Sequence, residues 1–177
     1  MIITISGQPG SGNTTVSRLL AEKIGYSLVT AGEINKKIAA ESGLSIEDYW
    51  KKLEKNPKEM RDFHDELDRR QEEIAKHEKN CIFNSKLGAF RFPNAGLKVL
   101  LVADDKVRAE RTVKRDGGTV KQALKKIAER ERMERKDWKK MYGFDYVGDK
   151  EKYDMIIDVS ELSPEQIVGA IMSRIAG

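Results

Sequence analysis

The chain has 177 residues, of which 39% are hydrophobic and 35% charged, with a formal net charge of +4. That length suits one domain burying roughly 70% of its unfolded surface, and the composition excludes a disordered chain or a membrane span. Fourteen Lys or Arg stand against six acids between Lys106 and Lys140, a local +8 on a −4 remainder, which points to an anionic partner.

Met1 to Ser6 is short, apolar and β-branched and stops at Gly7, the pattern of a strand buried on both faces rather than of a signal peptide. After a glycine-rich turn, Val16, Leu19, Leu20 and Ile24 follow helical spacing up to Gly25. Tyr26 to Thr30 reads as a second strand, then a helix from about Glu33 to Ala40 and another opened by Ser45 with Asp48 three residues on. Met60, Phe63, Leu67, Gln71 and Ile74 trace one face of a long charged helix from Lys58 to about Lys79; His64 and His77 on it are expected to be exposed.

Asn80 to Phe83 and Leu97 to Val102 are the third and fourth apolar runs. Two helices are expected between Asp104 and Arg135, broken at Gly117 and Gly118, with Thr119 capping the second. Met155 to Val159 is a fifth strand, and Ser163, Pro164 and Gln166 start a last helix with a capping box. The stretch from about Met141 to Tyr153 is the least regular. Strands that are unbroken apolar runs alternating with helices predict a five-stranded parallel sheet with helices on both faces. Cys81, the only cysteine, excludes an intrachain disulfide and a cysteine-rich zinc site, fits a cytoplasmic location, and is expected in the core.

The chemistry begins at Gly7-Gln8-Pro9-Gly10-Ser11-Gly12-Asn13-Thr14-Thr15. The run follows the phosphate-loop pattern GxxxxGK[ST] at Gly7, Gly12 and Thr14, between a strand and a helix, but has Asn13 in place of the lysine. Such a loop curls its N–H groups around phosphate oxygens and adds the positive end of a helix dipole, and Thr14 is placed to put its hydroxyl on Mg²⁺. Losing the lysine removes a charge that stabilises the transferring phosphoryl group, a contact of a kind worth on the order of 10²–10³ in rate.

With this loop, the segments MIITISGQPGSGNTTVSRLLAEKIGY, TAGEINKKIAAESGLSIEDY, ELDRRQEEIAK and AERTVKRDG together resemble the archaeal-type cytidylate kinases, nearly end to end. The resemblance implies a nucleoside monophosphate kinase that transfers phosphate from MgATP to CMP or dCMP. It implies one domain over 1–177, with an acceptor-binding helical region at about 31–79 and a lid at about 117–150. The donor site would comprise the loop at 7–15 and Arg111. Lys36, Asp68, Arg70 and Lys86 would bind the acceptor, with lysines where the family has arginines at 36 and 86, so charge is kept and bidentate geometry lost.

Arg115, Arg130 and Arg135 would close over the transferred group, Arg111 and Arg115 sharing a helix face; the plain alternative for such arginines is solvated i,i+4 pairing, as between Glu131 and Arg135. Asp68 is expected to contact the base or orient Arg70. Asn84 departs from an acidic position of the family, for which Asp104 and Asp105 are the nearest candidate substitutes. Alternatives are another acceptor, AMP or UMP, or a nucleotide-binding relative with weakened catalysis. Within the basic stretch only Trp138 could stack on a base, which argues against a nucleic-acid partner. The expected state is a monomer without a membrane partner.

Overall fold

All five apolar runs are strands in the computed structural model, which describes residues 1–177. The strands are β1 (Ile2–Gly7), β2 (Ser27–Thr30), β3 (Cys81–Asn84), β4 (Leu97–Val102) and β5 (Met155–Asp158), and every pairing is parallel in the order β2-β3-β1-β4-β5. The helices are α1 (Asn13–Ile24), α2 (Ala31–Glu41), α3 (Ile46–Glu54), α4 (Pro57–His77), a single turn α5 (Gly88–Arg91), α6 (Asp105–Asp116), α7 (Val120–Tyr142) and α8 (Pro164–Ala176). The short α5 has no counterpart in the sequence reading, because four residues are too few to show a period.

Period-two alternation sends neighbouring strand residues to opposite faces. Ile3, Ile5, Ile82, Val99 and Leu101 pack on one face with Val16 and Leu20 of α1 and Ile167, Val168 and Ile171 of α8. On the other face Cys81 and Phe83 meet Phe92 beside Ile74 of α4, and Leu100 meets Phe144, Tyr146 and Tyr153. Both faces are therefore covered, as the unbroken apolar runs require. The irregular stretch around 143–153 is thus not surface loop alone: Phe144 and Tyr146 are almost wholly buried, and Tyr153 Oη donates to the Tyr146 carbonyl at 2.7 Å.

A smaller core forms apart from the sheet, where α2, α3 and α4 enclose Ile34, Ile38, Tyr49, Leu53, Phe63 and Leu67. His64 is buried here, against the sequence expectation: its ring meets Phe63 edge-on at 5.4 Å and Tyr142 at 6.3 Å, and burial lowers its pKa. The helix is polar overall, so its composition hid a position that tertiary packing covers.

The chain runs from β1 out to β2, returns to β3, then crosses to β4 on the far side of β1. The sheet's direction of growth thus reverses at β1, and the crevice beyond the carboxyl ends of its strands is where doubly wound sheets bind ligands.

Candidate active site

The residues after Gly7 occupy that crevice. Gly10 has φ +84°, and a Cβ there would stand 2.7 Å from the Arg108 carbonyl oxygen, so only glycine lets the loop lie against α6. The loop is tied down by Gln8 N–H donating to the Leu101 carbonyl at 3.3 Å and Ser11 N–H to the Gln8 carbonyl at 3.0 Å. Gly12 begins α1 in the left-handed conformation, with no side-chain cap and no acid in the first turn. The open N–H groups of this turn can therefore take an anion. Ser11 Oγ is buried in the loop without a partner.

Asn13 lies across the crevice from the end of β3. Its Nδ2 donates to Asn84 Oδ1 at 3.2 Å, and Asn84 Nδ2 donates to Thr14 Oγ1 at 3.2 Å. The two departures are thus one feature: neutral amides pair where the phosphate-loop pattern has a lysine and the resemblance implies a carboxylate. Asp104 and Asp105, the candidate substitutes for the missing acid, form no hydrogen bond with Asn13, Thr14 or Asn84. Both are exposed; Asp104 begins α6, and Asp105 accepts from Arg108 at 2.5 Å.

Arg108, which the sequence reading passed over, is the hub beneath the loop. It is 3% exposed, and its guanidinium donates to the carbonyls of Ala103 and Pro9, each at 3.1 Å, and to Glu131 of α7 at 3.0 Å. Glu131 also accepts from Gln8 Nε2 at 3.2 Å, so it joins α7 to the loop and does not pair with Arg135. Arg135 instead holds Asp145, with a shortest contact of 2.6 Å. The spacing from 108 to 111 was the available signal, since the helix turn before Arg111 faces the same loop.

Arg111 donates to the carbonyls of Ser11 at 3.4 Å and Val159 at 2.7 Å, as a loop-facing residue should. Arg115 does not join it: exposed at the end of α6, it pairs with its neighbour Asp116 at 2.7 Å. A helix face broad enough to contain both positions still turns the second toward solvent. Between the loop, α6 and α7 lies a cleft of ≈ 390 Å³ lined by Gln8, Arg108, Ile127, Glu131, Arg132 and Arg135.

The candidate acceptor residues occupy the other side of β1. Lys36 is exposed on α2. Arg70 is bound by Glu41 at 2.5 Å and Glu66 at 2.7 Å, not by Asp68. Asp68 is buried and takes the Arg91 guanidinium of α5 and the Tyr142 hydroxyl, the latter at 3.2 Å. Burial dominates over the Arg91 charge and pushes the Asp68 carboxyl up to about 6. Lys86 pairs with Glu134 of α7, and its ammonium stands 5.7 Å from the Trp138 ring centre and 5.6 Å from that of Tyr146. Burial lowers Lys86 to about 8 despite Glu134 beside it. Arg130 donates to the same Glu134 at 2.8 Å.

A parallel sheet in this order, with a glycine-rich phosphate loop leading from its central strand into a helix, defines a P-loop α/β protein. Solved structures share the fold: a protein from Eubacterium ventriosum (TM-score 0.74, 18% identity, covering 100% of this chain and 99% of that one) and shikimate kinase from Bacteroides thetaiotaomicron (TM-score 0.65, 14% identity, covering 100% and 99%). The family model described as "Cytidylate kinase-like family" matches residues 2–161. Proteins named cytidylate kinase from Pyrococcus abyssi and Pyrococcus furiosus are 43% and 42% identical over 175 residues, covering 99% of this chain and 93% and 88% of theirs. The chain belongs to the cytidylate kinase-like family.

Proposed function

We propose that the protein transfers the γ-phosphate of ATP to CMP or dCMP, giving CDP or dCDP. The observation that carries this is the uncapped phosphate loop at the end of β1, facing Asn84 at the end of β3, in a chain of this family. Full-length similarity to proteins named cytidylate kinase supports the cytidine acceptor.

The loop at 7–15 cradles the donor phosphates, with Arg111 and Arg108 fixing its backbone from below. Lys36, Arg70 and Lys86 hold the acceptor phosphate, and Asp68 faces the base. Arg130 and Arg135 belong to a lid over about 117–150, closing over a body whose acceptor region spans about 31–79. Arg115, turned outward in the structure, reaches the transferring group only if the end of α6 moves. The acceptor oxygen is already ionised, because the second phosphate pKa is about 6, so no general base is needed. In-line positioning and neutralisation of charge supply the catalysis.

Mg²⁺ is the metal that such a donor site takes. The hydroxyl oxygen of Thr14 is the hard donor that would hold it; Asn84 turns its amide nitrogen toward that hydroxyl and its oxygen toward Asn13. When bound it neutralises charge on the donor phosphates. No helix is long and apolar enough to cross a membrane. A cytoplasmic monomer is the form proposed.

The test is ADP release from MgATP with CMP, dCMP, UMP, AMP and GMP supplied singly. Cytidine nucleotides should accelerate it most; no acceleration above buffer by CMP or dCMP would sink this reading, and a preference for AMP or UMP would reassign the acceptor.

A further inference from the structure

Lys86 is the one candidate acceptor cation that α7 encloses. Its side chain is 17% exposed and that of Glu134, its partner, 16%. The ammonium has an aromatic ring on two sides, Trp138 and Tyr146, the first from the same helix as Glu134 and the second just beyond it. A lysine whose charge is matched by a carboxylate attracts a phosphate weakly, so while this cage holds, Lys86 is a poor phosphate ligand.

The cage is arranged so that the lysine can leave it. Glu134 also accepts from Arg130 Nε at 2.8 Å and lies 3.5 Å from the Tyr146 hydroxyl. If Lys86 departs, the carboxylate keeps a cationic partner and a hydroxyl and is not stranded as a buried unpaired charge. A phosphate dianion in turn offers the departing ammonium more charge than the carboxylate it gives up.

We propose that Glu134 is a positioning residue that stores Lys86 under α7, and that the phosphate of the acceptor nucleotide takes the lysine in exchange. The proposal rests on Lys86 being an acceptor-phosphate ligand. No covalent step is involved; one ion pair replaces another. Glu131, one turn earlier on α7, holds Arg108 and Gln8 beside the donor loop. The exchange therefore takes place on the helix that also touches the donor site.

Trp138 supplies the readout, because the only other tryptophan, Trp50, lies on α3 against Phe63, and Trp50→Phe leaves Trp138 as the sole indole emitter. In that protein CMP should shift the Trp138 emission and cytidine, lacking the phosphate, should not. Glu134→Gln should tighten CMP binding about 5-fold, since the acceptor no longer competes with a carboxylate, and Lys86→Met should weaken it about tenfold or more and abolish the emission response. CMP binding without an emission change, or weaker CMP binding in Glu134→Gln, overturns the exchange even if CMP is turned over normally. Conversely, a phosphate-dependent shift in a protein that does not phosphorylate CMP would retain the exchange and reject the kinase reading. The emission titration needs no change at 134, so it stands even if Glu134→Gln fails to fold.

Discussion

Asn13 and Asn84 answer each other. Placing a lysine at 13 alone sets an ammonium beside a neutral amide; placing an aspartate at 84 alone sets a carboxylate at an 8% exposed position beside Asn13. Each single change leaves a charge half-matched, and the pair together restores ion and counter-ion. Asn13→Lys is expected to raise kcat by about 10-fold or more, since the added cation meets the transferring phosphoryl group. Asn84→Asp alone is expected to lower stability by about 1–3 kcal/mol, with that loss recovered in the double variant. Steady-state kinetics and urea unfolding of the four proteins measure the coupling.

Asp68 makes a pH prediction with a definite sign. Its carboxyl titrates near 6 in the folded protein, above the ordinary value for aspartate near 3.9, because burial disfavours the charged form. Between those values the folded chain holds a proton that the unfolded chain has released, so the stability contributed by this group is complete below about pH 4 and is lost as pH rises through about 6. Asp68→Asn removes that dependence. Thermal unfolding of both proteins from pH 4 to 7 should show the parent losing stability relative to the variant across this window; parallel curves would refute it.

At the scale of elements, the phosphate loop depends on α6 and α7 for support. Arg108, itself buried, satisfies two carbonyls, of Pro9 and Ala103, and pairs with the half-buried Glu131. Arg108→Met would leave those acceptors and a carboxylate without their donor. The expected cost is about 3 kcal/mol or more of stability, measured by urea unfolding, with weakened ATP binding in the molecules that remain folded. Unchanged stability would show that water or another side chain takes the place of the guanidinium.

The helix-bounded elements were legible in the sequence because their signals are local. Thr119 with Gln122 and Ser163 with Gln166 each form the reciprocal capping box, and such a box is written in four consecutive residues. What the charged helices do with their side chains was less legible. Glu131 is four residues from Arg135 and could have paired with it; it pairs across the fold with Arg108, because a part-buried site offering a guanidinium and the Gln8 side-chain N–H outweighs an exposed i,i+4 contact worth a few tenths of a kcal/mol.

At the scale of the molecule there are two principal packing centres. The largest core lies between the sheet and α1 and α8, while α2, α3 and α4 close around a smaller one, which Val29 and Ile74 link to Cys81, Phe83 and Phe92 on the opposite face of the sheet. A small core shared among short helices opens at lower free energy than the central strands. Hydrogen exchange should therefore be faster in α2 and α3 than in β1, β3 and β4; equal protection throughout would mean that the acceptor region opens only with the whole domain.

The sequence alone determined the alternation of strands and helices, the parallel sheet and the phosphate loop, because each is encoded in contiguous residues: an apolar run, a cap, a glycine pattern. Tertiary structure decided which polar and charged side chains meet. Asn13 finds Asn84, Arg108 finds Glu131, Asp68 finds Arg91 and Lys86 finds Glu134, each pair separated by more than twenty residues. A charged side chain on a helix has several partners within reach, and only burial, which follows from how the elements pack, selects among them.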